Sequence, residues 1–254
     1  MRTARLAAAA FLGLCAAALA QSEGVAQFRG TMNAGPGKTI PSSFLVYYTK
    51  GVAYRTEWTV DTSSLAGKSK HPSRAVTGNP HKTIMIMKLS DPDHLLTLND
   101  ERKVYSITDL KKLRESLPAG AQETYTVQKL GRDSVAGHPC EKALINSSRG
   151  TQSELCVSTE LIPSAAWIAT QRDRSNTMMK ALRDAGLDGF PIRWVIRGKG
   201  EQQPRYTMEL VRFEKKSVSP ALFEVPAGYK QIDDAYLTLS PEQEEKAKKR
   251  RGDR

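Results

Sequence analysis

The residues best equipped for chemistry lie between positions 81 and 94. Asp91, Asp93 and His94 stand almost side by side, with His81 upstream. A carboxylate beside an imidazole can move a proton, and carboxylates with histidines can ligate a cation. The spacing favours neither. Asp91-Pro92-Asp93 has the composition of an ordinary turn. A zinc set combines a short-spaced pair with a distant partner, and only His71 and His138 remain to supply one. The chain contains no GxSxG, HExxH, P-loop or post-strand GxGxxG pattern. No catalytic residue, metal ligand or cofactor is therefore expected, and an enzymatic reading would have to rest on Asp91, Asp93 and His94.

The cysteines point elsewhere. Arg2 and Arg5 precede an uncharged apolar stretch over 6–19, and Ala18-Leu19-Ala20 supplies small residues where a signal peptidase reads. This predicts an export signal over 1–20, cleaved after Ala20, and a periplasmic or extracellular chain. Lipoprotein processing at Cys15 is the rival reading, weakened by Leu14, since that processing needs a small residue there. No other stretch approaches the ~18 apolar residues of a membrane span, so no transmembrane segment is expected. Without the leader two cysteines remain, Cys140 and Cys156, flanking a turn at Ser147-Ser148-Arg149-Gly150. An even pair in an exported chain reads as a disulfide, here across a hairpin, worth ~3 kcal/mol for a loop of this size. Thiol catalysis is excluded with it.

The net charge of +11 raises the question of nucleic acid. The leader and the residues from Ser240 onward hold +2 each, leaving +7 spread over the body without a basic stripe interleaved with aromatics. A nucleic-acid partner is not expected. A diffuse positive surface suits nearness to anionic membranes better.

The elements that would position any site are mostly strands. Alternating segments at 25–32, 43–49, 53–60, 82–89, 94–98, 103–108, 124–130, 140–147, 152–158, 192–197 and 205–213 are punctuated by Gly, Pro, Asn and Asp. Short connections imply antiparallel pairing, and so many strands imply a barrel or a strongly curved sheet. Helices are expected at 109–116, capped by Asp109, at 175–185, ended by Gly186, and at 162–170. Residues 67–81 read as a basic inserted loop. Residues 240–254 have helical charge pairs but no apolar stripe, and are expected as a charged, disordered tail behind one domain at 21–239.

Two strands are apolar on both faces. In Thr83-Ile84-Met85-Ile86-Met87 the isoleucines face one way and the methionines the other. Phe44, Val46 and Tyr48 likewise oppose Leu45 and Tyr47. An antiparallel strand usually wets one face, so both faces must be covered. Two-layer packing would do this; so would a ligand on one face, where the adaptable thioether of methionine is suited to an exchangeable partner.

Three motifs occur in order: Gly137-x-x-Cys140-Glu141-Lys142, Gly189-Phe190-Pro191-Ile192-Arg193-Trp194, and Phe223-x-Val225-Pro226-x-Gly228-Tyr229. Over 24–232 the chain resembles a bacterial exported family, domain of unknown function family 4412, itself similar to the LolA/LolB-like superfamily of periplasmic lipoprotein carriers. The resemblance implies a mainly β (α+β) fold: a strongly curved antiparallel sheet, or unclosed β-barrel, with a few helices covering its concave face. It implies an apolar ligand, a lipid or lipoprotein acyl chain, held between sheet and helices. Met85, Met87, Phe44, Val46, Met178, Met179 and Leu182 are then the candidate lining residues. The alternatives are an envelope interaction or sensor module whose partner is another envelope protein, and the enzymatic reading above. The last motif, in 219–233, contains nothing nucleophilic and reads as a structural corner with a short strand at Phe223 and Val225.

Overall fold

The computed structural model describes residues 23–35, 37–49, 53–61, 81–116, 123–162 and 177–252, except for the side chains of His81, Arg114 and Arg251. The leader, most of the basic loop and the segment 163–170 lie outside them. Twelve strands form one sheet: β1 (Gly24–Gly35), β2 (Lys38–Thr49), β3 (Ala53–Val60), β4 (His81–Lys88), β5 (Asp91–Asn99), β6 (Val104–Asp109), β7 (Tyr125–Val135), β8 (His138–Ser147), β9 (Gln152–Ser158), β10 (Phe190–Arg197), β11 (Tyr206–Lys215) and β12 (Lys230–Gln231). Their order is β12-β6-β5-β4-β3-β2-β1-β11-β10-β9-β8-β7. Every pairing is antiparallel except β12 on β6. The two end strands are not paired to each other, so the curved sheet stays unclosed. Register shifts at Gln27/Phe28, Met87/Lys88, Lys129/Gly131 and Pro191/Arg193 add local twist and bend.

Each expected strand is present, several longer than expected. Helix α1 (Leu110–Glu115) starts where Asp109 Oδ1 accepts from the Lys112 amide at 2.9 Å. Helix α2 (Thr177–Asp184) ends at Gly186, whose φ of +73° lets the Leu187 amide turn back onto the Leu182 carbonyl. It packs against β7.

The sheet has two unlike faces. Its inner face carries the main core, including Ala26, Phe28, Val46, Tyr48, Met85, Met87, Leu155 and Ile192. The outer face of β3–β5 carries a second cluster in which Ala53, Ile84, Ile86 and Leu98 meet Val218 and Phe223. The doubly apolar β4 is explained: methionines inward, isoleucines outward under the C-terminal segment.

That segment corrects two expectations. Phe223 and Val225 do not form a strand: Pro220–Phe223 is a 3-10 turn with its proline at the start, where a missing N–H costs nothing. Its Leu222 carbonyl accepts from Arg55 at 2.9 Å, and Glu224 pairs with Lys88. The chain then rounds the sheet edge as β12. The disordered tail is the second correction. Ser240 and Gln243 make a reciprocal capping box and Pro241–Arg251 forms helix α3. Glu244, buried, pairs with Arg102 of the β5–β6 turn, whose guanidinium also donates to the carbonyls of Tyr236 and Leu239 at 2.8 and 2.6 Å. A helix without an apolar stripe is held by a charge clamp instead.

Candidate apolar ligand site

Met85 and Met87 point inward from β4, in register with Thr56 and Tyr54 of β3. Val46 and Phe44 point inward from β2, opposite Thr56 and Trp58. Met178, Met179 and Leu182 are the buried residues of α2. Six of the seven belong to one continuous hydrophobic cluster and the seventh, Phe44, packs against it. The cluster spans the concavity, because α2 rests on β7 at one end of the strand order while β4 lies eight strands away. The aromatics Phe28, Phe44 and Phe190 join the two halves, with ring centroids 5.7–5.8 Å apart.

Polar groups on this face fall into two kinds. Tyr48 donates its hydroxyl to the Leu161 carbonyl at 2.7 Å, and burial pushes its phenol up to about 12. Ser106, fully buried, donates to Asp234 at 2.9 Å. Thr56 Oγ1 and Trp58 Nε1 are also buried, yet among the described residues neither has a hydrogen-bond partner. The sequence reading missed this pair. No sequence signal marks it, because the isolation of Thr56 depends on the register that sets it between Val46 and Met85.

The candidates for catalysis lie on the other side of the sheet. His94 Nδ1 meets Asp91 Oδ1 at 2.7 Å, with both side chains exposed. The hydrogen bond that His94 donates to the Asp91 carboxylate, aided by that group's charge, raises the His94 pKa above the ordinary imidazole value. With Lys88 the pair rims a cleft of about 330 Å³ floored by Ile86, Leu96 and Ile107. Asp93 is part-buried and does not line it. Among the described residues no three His, Cys, Asp or Glu side chains are grouped to hold a metal ion.

Cys140 and Cys156 form the expected disulfide, with Cα atoms 5.4 Å apart. The hairpin register differs by two residues from direct opposition, since Cys156 pairs with Lys142. Among the described residues no helix is long and apolar enough to cross a membrane.

Residues 49–229 match the family model described as Domain of unknown function (DUF4412). No curated protein matches the chain. Similar solved structures include an uncharacterized conserved protein from Thermus thermophilus, 10% identical, covering 84% of this chain and 90% of that one with a TM-score of 0.45. A LolA superfamily protein from Nitrosomonas europaea is 8% identical, over 80% of this chain and 90% of that one, with a TM-score of 0.33. The structure of a Pseudomonas aeruginosa MucA/MucB complex contains a chain 11% identical, over 82% of this chain and 56% of that one, with a TM-score of 0.39. The chain thus spans little more than half the length of that last relative.

Proposed function

The chain belongs to the family described as Domain of unknown function (DUF4412), and from that premise we propose that it is an exported, non-enzymatic binding protein. It holds an apolar ligand, of the lipid or acyl-chain class, on the concave face between the sheet and α2. One observation carries the reading: residues distant in sequence, from Val46 to Leu182, converge in a single cluster that includes Met85, Met87, Met178 and Met179. Methionine side chains repack around different shapes at little cost, which suits a face that fills and empties. The outer face of β3–β5 is covered by the C-terminal segment, which supports the inner face as the one to hold a ligand.

The test is binding of the neutral fluorophore N-phenyl-1-naphthylamine, together with mass spectrometry of an organic extract of the natively purified protein. Saturable fluorophore binding that Met85→Lys abolishes, with an apolar molecule in the extract, is the expected result. An empty extract and no fluorophore binding would overturn the reading.

A second reading is an envelope interaction module. It is favoured by the outer cleft, where Ile107 keeps 41% of its surface exposed beside Ile86 and Leu96. A stable partner retrieved by crosslinking through this cleft, and lost with Ile107→Lys, would support it over the first.

A further inference from the structure

Thr56 and Trp58 are the anomaly on the inner face. The fold satisfies the buried hydroxyls of Tyr48 and Ser106 with protein acceptors. Thr56 is 1% exposed, and its Oγ1 has no partner among the described residues. Trp58 Nε1, two residues along the same strand and on the same face, is buried and equally unpartnered. Buried polar atoms are nearly always hydrogen-bonded, and an exception calls for a reason. Two exceptions on one face of one strand, about 7 Å apart along it, share a reason more readily than they arise separately.

The chemistry of the pair specifies what it can meet. An indole N–H can only donate, and a threonine hydroxyl can donate as well as accept, so the common partner is an acceptor. Charge narrows it further. The register neighbours of Thr56 are Val46 and Met85, and those of Trp58 are Phe44 and Thr83. None of these is charged. The cation and anion of this strand, Arg55 and Glu57, pair with each other at 2.7 Å, and Arg55 donates to the Leu222 carbonyl of the outer cover. An anionic carboxylate beside Thr56 would be buried without a counter-charge, which is unfavourable; a neutral carbonyl would not.

We propose that Thr56 and Trp58 recognise the neutral carbonyl of an ester- or amide-linked acyl chain, whose tail lies on Val46, Met85 and Met87. This inference rests on the reading of the concave face as a ligand site and adds the class of ligand. It makes the site selective for acyl esters and amides over hydrocarbons and over ionised fatty acids.

The experiment is displacement of N-phenyl-1-naphthylamine from the purified protein at pH 8 by three probes of similar length: methyl octanoate, octanoate and nonane. Methyl octanoate is expected to displace more strongly than either, after correction for nonane's lower solubility. Thr56→Val and Trp58→Phe should each weaken methyl octanoate roughly 2–10-fold, the loss of one net hydrogen bond, and leave nonane unchanged. Equal binding of ester and alkane by the unaltered protein overturns the inference, and so does a Thr56→Val/Trp58→Phe double variant that keeps the ester preference. Either result leaves the ligand-binding reading standing. Absence of fluorophore binding removes that reading and this one together. The comparison of probes on the unaltered protein needs no variant to fold.

Discussion

Replacing Thr56 by valine should make the ligand-free protein more stable. Threonine and valine have the same shape, so the change opens no cavity and keeps a β-branched residue in a strand. What it removes is a hydroxyl at a position 1% exposed, with no partner among the described residues. A buried unsatisfied hydroxyl costs about 1–3 kcal/mol, so a gain of ~1–2 kcal/mol is expected after incomplete relief of the site. At roughly 2–4 °C per kcal/mol for a chain of this size, the midpoint should rise by about 2–8 °C. The control is Ser106→Ala. Ser106 stands on the same row of the sheet, in register through Thr97 and Met85, and is equally buried. Its hydroxyl donates to the Asp234 carboxylate, so its loss should destabilise by about 1.5–3 kcal/mol. Urea unfolding of both variants, followed by circular dichroism with the slope checked for constancy, reads the two signs directly. A Thr56→Val protein less stable than the parent would show that the hydroxyl is satisfied, and the reasoning from its isolation would fall.

Removing the disulfide by a Cys140→Ala/Cys156→Ala double change, across a sequence separation of 16, should lower stability by ~3 kcal/mol in urea unfolding; a loss under about 1 kcal/mol would contradict the hairpin staple. Arg102→Met removes the clamp on Tyr236, Leu239 and Glu244 and should cost about 2 kcal/mol, less than a fully buried pair because the guanidinium keeps some exposure. Limited proteolysis should then cut first after residue 233, while unchanged protection of α3 would refute the clamp. The proton of His94 should titrate above 6.5 by NMR, and Asp91→Asn should return it toward that value. Because the folded-state pKa is raised, the His94–Asp91 contribution is fully present below the unfolded pKa near 6.5 and fades as pH rises through the folded value. A titration at or below 6.5 would remove the ion pair.

Much of this fold can be read along the chain because its causes are local. Alternation of apolar residues, punctuated by glycine, proline and asparagine, placed eleven strands, and Asp109 and Gly186 marked where α1 begins and α2 ends. The two remaining cysteines lay close enough to a turn for their pairing to follow from the hairpin. Of the seven candidate apolar residues, the four on strands were legible as types and faces, since β-strand alternation divides Met85 and Met87 from Ile84 and Ile86 without any knowledge of the neighbours.

What covers each face depended on contacts far apart in the chain. No local rule says that Val218 and Phe223 would lie on Ile84 and Ile86, or that Arg55 would reach the Leu222 carbonyl. Nor does one foresee that Arg102 would hold a helix with no apolar stripe. Charge clamps and edge pairings involve single groups, which leave no periodic trace. The same holds for Thr56 and Trp58. By type they are ordinary strand residues, and only the register that surrounds them with Val46, Phe44 and Met85 turns a common hydroxyl and indole into isolated donors. Composition and period therefore determined the strands and their two faces, whereas tertiary structure decided what packs on each face and which buried polar groups find a partner within the described residues.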